Sequence, residues 1–350
     1  MWYTVRRELP IDSLLYNFLP SWWHRGYGLE FGREFVFDPD YRVSCYREMA
    51  RTLARRYPQL AIGDSDPVAS VVPPDFGNAA TAAAAGCEVA YPVDNYPWNR
   101  HLEAEKVRAL EVPPDITSIF PYSEIVSQVE RLNSRLGRTE SPLLIPRGVL
   151  NDAVLIRGQD FFLDREEDPE LAGHLLAFCY GILLAVVNFN TANRRPETTI
   201  LTNCTVPFVG PESYHDWLLP FDLEIFEVAK AAGCPFGIHH CGVFNPYLSA
   251  YRRIPKVDLL EIGWGSDIAK ALAGFPEALV RYIYSAQFLL NASVAEVEEE
   301  TKRILARVPA GDRRRFSLSV PDIEHGTRDE NLLVILENCL RLDALTAPCP

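Results

Sequence analysis

The sequence predicts an α/β fold, and within it a (β/α)8 TIM barrel with an N-terminal helical extension. Three observations carry this. From about residue 65 onward, short β-type runs alternate with amphipathic helical runs. The β-type runs are apolar throughout, as strands covered on both faces are. Roughly eight of them fall within one chain of 350 residues, a length normal for a single barrel with insertions.

Residues 1–60 are rich in aromatic side chains, read as helical and contain no glycine-rich phosphate loop. They form an extension packed on the barrel, which takes residues 61–350. The predicted strands are 69–72, 88–92, 143–146, 198–206, 236–240, 259–262, 279–283 and 316–320. Helical patterns occupy 123–136, 169–187, 221–232, 268–273, 294–308 and 330–342. Strands alternating with helices of this length specify parallel pairing with crossover helices. No internal repeat or linker divides the chain.

Composition narrows the function classes. Hydrophobic residues make up 48% of the chain, enough to bury a large core. The formal net charge of -13 disfavours nucleic acid and anionic membrane as partners. The start of the chain has charges inside its apolar stretch and no small-residue cleavage site, so no secretory signal is expected. The most apolar run, 175–190, is shorter than the ~20 residues a bilayer requires and reads as a buried helix. Eight cysteines are irregularly spaced, which fits a reducing cytoplasm and small core thiols better than a disulfide framework. His174 and His215 lie in or beside helical stretches, and 313–315 reads as a solvated turn.

The chemistry concentrates in two segments. In GCPFGIHHCG (233–242) a buried run ends in His-His-Cys-Gly. His239 and Cys241 are two apart, so on a strand their side chains share one face while His240 points to the other. Imidazole and thiolate together suit zinc; the bland reading is a core histidine and an inert thiol. In VDLLEIGWGSD (257–267) Glu261 sits in the middle of an apolar strand. A carboxylate there must be paired, hydrogen-bonded or metal-bound. Ser266 and Asp267 precede a helical run and read as its N-cap.

His-x-Cys, then a strand glutamate about 20 residues on, then Ser-Asp before a helix, resembles the zinc site of cobalamin-independent methionine synthase. The same His-x-Cys-Gly resembles the methylcobamide:coenzyme M methyltransferases. Both belong to the uroporphyrinogen decarboxylase superfamily, whose fold is a (β/α)8 barrel. PYSEIVSQVERL, RGVLNDAVLIRGQDFFLDREEDPELAGHLL and SVPDIEHGTRDEN are similar to segments of that superfamily. The resemblance implies zinc held by His239, Cys241 and Glu261. Where zinc methyltransferases of this kind supply a further cysteine, this chain reads Val-Pro-Asp-Ile-Glu-His-Gly-Thr-Arg (320–328). Asp322, Glu324, His325 or Cys204 is left to replace it, unless the fourth position belongs to water or substrate. His240, Asp322 and Glu324 are the candidate catalytic groups. Trp264, Asn203 and Trp98 are the candidate pocket residues, although the loop that carries Trp98 also reads as an ordinary surface turn.

The activity this resemblance implies is zinc-dependent methyl transfer between a small molecule and a corrinoid protein. The small molecule is an aryl methyl ether, another methylated donor or a thiol acceptor. No Asp-x-His-x-x-Gly corrinoid-binding segment is present, so a partner protein supplies the corrinoid. The superfamily implies a monomer or homodimer. Two alternatives stay open. One is a metal-independent decarboxylase, although His24-Arg25-Gly26-Tyr27-Gly28 lacks the paired arginines that cradle porphyrinogen carboxylates. The other is a non-catalytic zinc-binding partner of a corrinoid protein.

Overall fold

A computed structural model describes residues 2–193 and 198–342; Cys349 lies outside them. Among these residues the main sheet is built from β1 (Trp2–Thr4), β2 (Ser13–Phe18), β5 (Thr199–Thr202), β6 (Phe236–His240), β7 (Leu259–Ile262), β8 (Leu279–Ile283) and β9 (Phe316–Ile323). Its order is β1-β2-β9-β8-β7-β6-β5. Only β1 runs antiparallel to its neighbour; the other pairings are parallel. Two short strands, β3 (Val89–Ala90) and β4 (Trp98–Asn99), form a separate hairpin.

The predicted strands 236–240, 259–262 and 279–283 stand where the sequence placed them, 198–206 shrinks to β5, and 316–320 lengthens into β9. Two expectations fail on strand content. Residues 1–60 are not wholly helical: β1 and β2 precede the helices Pro20–Tyr27, Arg33–Phe37 and Pro39–Arg56, and β2 pairs in parallel with β9. The N-terminal segment therefore contributes two strands to the main sheet. Five of the six residues of β2 are buried, and so short an apolar run does not declare helix or strand by periodicity.

The second concerns closure, which the described ladders do not complete. Segments 69–72 and 143–146 form no ladder, 88–92 contributes only β3, and the sheet ends at β5 and β1. The fold is α/β around a curled, largely parallel sheet, and among the described residues the ladder hydrogen bonds of a closed eight-stranded barrel are not formed. Proline contributes: Pro67, Pro73 and Pro74 stand near the ends of the first segment, while Pro142 precedes the second and Pro146 removes a donor within it. Side chains satisfy the backbone instead. Arg42 Nε donates to Val72 O at 3.0 Å. Asn190 accepts from Leu144 N at 3.0 Å and donates to Leu144 O at 2.6 Å. The Gly148 N–H reaches Thr202 O at 3.1 Å, tying this segment to the end of β5.

The helix Pro169–Asn193 has 25 residues and is long and apolar enough to cross a membrane by length and composition, which the shorter run read from the sequence was not. Just over half of its most apolar stretch is buried, and it packs on the helices Val149–Arg157, Asp160–Glu167 and Leu219–Ala231. It is accommodated as a core helix of a globular domain.

Arg42 carries the repair of the first segment. It is fully buried and donates to Val72, Phe35 and Val36 carbonyls and to Gln128. Arg42→Met strands those acceptors in the core, and we expect a loss of roughly 3 kcal/mol or more in a urea-unfolding series. Unchanged stability would show that 69–72 is held some other way.

Candidate metal centre

One row of side chains crosses the sheet. In register, Thr202 lies beside His239, His239 beside Glu261, Glu261 beside Arg281, and Arg281 beside Ser317, which pairs with Ser13. The register becomes chemistry through direct contacts. His239 Nδ1–H donates to Glu261 Oε2 at 2.7 Å. Arg281 Nη1 donates to Glu261 Oε1 at 2.6 Å. Its Nε reaches Ser317 Oγ at 3.4 Å, and Ser317 meets Ser13 at 2.8 Å.

At the C-terminal ends of β5 and β6 this row meets two thiols. Ligand atoms of Cys204, His239 and Cys241 lie within 4.8 Å of one another. Two sulfurs and an imidazole nitrogen are a zinc-type donor set, and closing on an ion at ~2.0–2.3 Å needs only a small contraction. His239 Nδ1 is committed to Glu261, which leaves Nε2 for a metal. A carboxylate behind a ligand histidine is the usual outer partner in such sites. Gly263 makes the junction possible: a Cβ there would stand 1.9 Å from Cys241 O, and its N–H bonds Gly242 O at 3.2 Å.

The group carries a proton pattern of its own. The Cys204 thiol is pulled well below its usual range by the hydrogen bond from Cys241 and, against the cost of burial, by His239. Cys241 is pushed up by the same bond, which keeps the proton on its sulfur, and by burial. Burial opposes charge on His239, but hydrogen bonds to Cys204 and Glu261 overcome it and raise the imidazolium to about 10. Burial would raise Glu261, yet His239 and Arg281 hold it below the usual carboxylate value. Without metal, the arrangement is thiolate, imidazolium, carboxylate and guanidinium in sequence.

The other expected site residues separate into near and far. Cys204 and Cys241 join His239, whereas Glu261, expected as a ligand, stands behind His239 and pairs with Arg281. Asp322 sits at the mouth, close enough to act electrostatically on His239 and Cys241. Its φ of 52° is left-handed, and the β2–β9 register shifts there, Tyr16 pairing Val320 but Phe18 pairing Ile323. This bulge, at a proline that cannot donate, re-aims the side chain. The Asp322 side chain is open to water but surrounded by protein, and burial raises its carboxyl.

Glu324, expected as a catalytic group, is held by the Ser21 hydroxyl at 2.6 Å and the His325 N–H at 2.7 Å. His325 is exposed and outside the ligand group. His240, also expected as catalytic, is fully buried on the opposite face of β6. It packs on Phe244, Tyr247 and Tyr251, with Nδ1 3.0 Å from Tyr251 Oη. Burial pulls it down to about 4, so it stays neutral there. Asn203, expected in the pocket, is buried and donates to Asp222 Oδ2 at 2.9 Å. Trp264 follows β7 half-buried, against Tyr284 and Phe288 with ring centroids 5.0 and 5.3 Å away. Trp98 is exposed on β4, in the separate hairpin.

Sequence reasoning missed Arg281 and Arg147. Arg281 lies mid-strand in LVRYI, the same buried-charge signal that marked Glu261. Arg147 follows the apolar run LLIP and acts as a cation on Cys204.

The sequence matches no protein-family model and no curated protein. Its fold is similar to that of a solved structure, a methyltransferase from Methanosarcina mazei, with a TM-score of 0.65 and 15% identity over 98% of this chain and 95% of that one. Likeness at that identity is likeness of fold.

The proton pattern sets the pH dependence of metal binding. At neutral pH Cys204 is already ionised, while Cys241 and His239 each hold a proton that zinc must displace. Zinc binding is expected to release about two protons and to weaken steeply as pH falls from 8 to 6. Calorimetry in buffers of different ionisation enthalpy measures the count; zero release would contradict the assigned protonation. Glu261→Gln, which keeps shape but loses charge, is expected to weaken zinc by about 10–100-fold in a chelator competition. An unchanged constant would mean Glu261 serves only Arg281.

Proposed function

We propose that this chain is a zinc-dependent methyltransferase that moves a methyl group between a small molecule and a corrinoid protein. The observation that carries the reading is the group Cys204, His239 and Cys241 at the C-terminal ends of parallel strands, with Glu261 behind the histidine. That end of a parallel α/β sheet is where such folds place their chemistry. Likeness of fold to a methyltransferase supports the reaction class.

Cys204, Cys241 and His239 Nε2 would hold the ion. When bound, zinc supplies Lewis acidity, which keeps a thiol ionised or polarises an ether oxygen at neutral pH. Glu261 holds the imidazole in the tautomer that presents Nε2, and Arg281 keeps Glu261 charged. Three protein donors leave one position open, the mark of a catalytic rather than structural site. Cys241 is exposed, so that position faces the solvent side. Asp322 at the mouth is placed to take the proton that a thiol substrate gives up. Trp264 and Phe288, both half-buried with ring centroids 5.3 Å apart, are the partly accessible aromatic side chains after β7 and β8 and suit an aryl methyl ether. The corrinoid belongs to a partner protein.

Plasma emission on purified protein is expected to find about one zinc per chain, lost in Cys204→Ala and Cys241→Ala. With a methoxyarene and reduced corrinoid protein, or a thiol and methylated corrinoid protein, one direction is expected to turn over and both variants to lose more than about a hundredfold. A zinc-free wild type with full activity would overturn the reading.

A further inference from the structure

We propose that Arg147 anchors a carboxylate carried by the small-molecule substrate, beside the Cys204–His239–Cys241 group. The proposal rests on the metal-site reading above and adds the substrate's charge class to it.

Arg147 stands immediately before the helix Val149–Arg157, where the segment 143–148 meets the end of β5. Three contacts fix it there. The Gly148 N–H bonds Thr202 O at 3.1 Å. The Thr205 N–H and hydroxyl both donate to Asn151 Oδ1, at 2.9 and 2.6 Å. A Cβ on Gly148 would stand 2.5 Å from both Thr202 O and Asn203 Oδ1. Cys204 lies between these tethers, which brings the guanidinium to the metal group.

The residue is only 8% exposed, and its charge is met by one buried carboxylate, Asp152. The contact, Nε to Asp152 Oδ1 at 3.4 Å, is outside hydrogen-bond geometry, and both of these atoms are buried without a hydrogen-bond partner. Its Nη atoms form no hydrogen bond among the described residues. A buried guanidinium normally fills its donors, because leaving them empty costs stability. A second feature points the same way. The helix Val149–Arg157 starts at Gly148 with no side-chain cap, so its first-turn N–H groups and positive dipole end adjoin Arg147. A planar donor fork beside an uncapped helix N-terminus is a carboxylate receptor. Its charge would complete Arg147 and orient the reacting sulfur or oxygen toward the metal.

The test is titration calorimetry of zinc-loaded protein with 3-mercaptopropionate and with 1-propanethiol, with zinc assayed on the same preparations. Wild type is expected to bind the carboxylate thiol at least about tenfold more tightly than the neutral one. Arg147→Met is expected to abolish that preference while leaving propanethiol affinity unchanged. Arg147→Lys, which keeps the charge without the fork, is expected to retain part of it and guards against a misfolded Met variant. Zinc-bearing wild type with no preference for the carboxylate, or a folded Arg147→Met that keeps it, overturns this proposal alone. Wild type that binds no zinc overturns the metal reading and this proposal with it.

Discussion

The parallel register of β6, β7 and β8 sets His239, Glu261 and Arg281 side by side, and the rest of the site depends on that alignment. Glu261 and His239 are largely buried, and neither is tolerable there as an isolated charge. The row resolves this by alternating sign along the sheet. A slip of one residue in any of these pairings would send a member to the opposite face and leave its neighbour a buried, unpaired ion. Register is therefore enforced twice, by the apolar residues that alternate with the row and by the row itself.

Features around the row extend it into a site. Gly263 lets the end of β7 press against the backbone of Cys241, so the exposed thiol turns back over the sheet. The bulge in β9 brings Asp322 to the same opening from the far side. The segment before the helix Val149–Arg157, tied to β5 by backbone and Asn151 contacts, delivers Arg147. On the outer face of β6, His240 and Asn203 belong to a buried network with Tyr251, Asp222 and Tyr214. That network locks the backs of β5 and β6, so the strand carrying His239 is fixed on both faces.

Much of this was legible in the sequence where physics acts locally. Period-two geometry on an apolar strand put His239 and Cys241 on one face and His240 on the other, and a carboxylate inside LLEI had to have a partner. The identity of that partner was not legible, because Arg281 is 20 residues away and becomes adjacent only through register. Cys204 was one of several candidates for the further ligand, and the pairing of Thr202 with His239 is what places it beside the histidine. β2 was hidden because a six-residue run with four apolar side chains, in an aromatic-rich stretch, fits either element. The segments 69–72 and 143–146 read as strands from their side chains, but prolines crowd the ends of the first and Pro146 removes a donor within the second. Whether they joined the sheet was decided by Arg42 and Asn190, residues far away in sequence.

The metal-free group has a charge balance that a bound zinc ion would leave unchanged. Without an ion, Cys204 and Glu261 are negative, His239 and Arg281 positive, and Cys241 neutral, which leaves the group without net charge. A zinc ion would replace the protons of Cys241 and His239, exchanging two positive charges for two. The surrounding protein then meets the same net charge before and after, so loading the site imposes little new desolvation cost. Glu261 and Arg281 need not move, since the imidazole keeps its Nδ1–H toward Glu261 in either state. The charge row is thus a scaffold for the exchange, and Arg147, beside Cys204 and paired with the buried Asp152, is the cation proposed to meet a substrate.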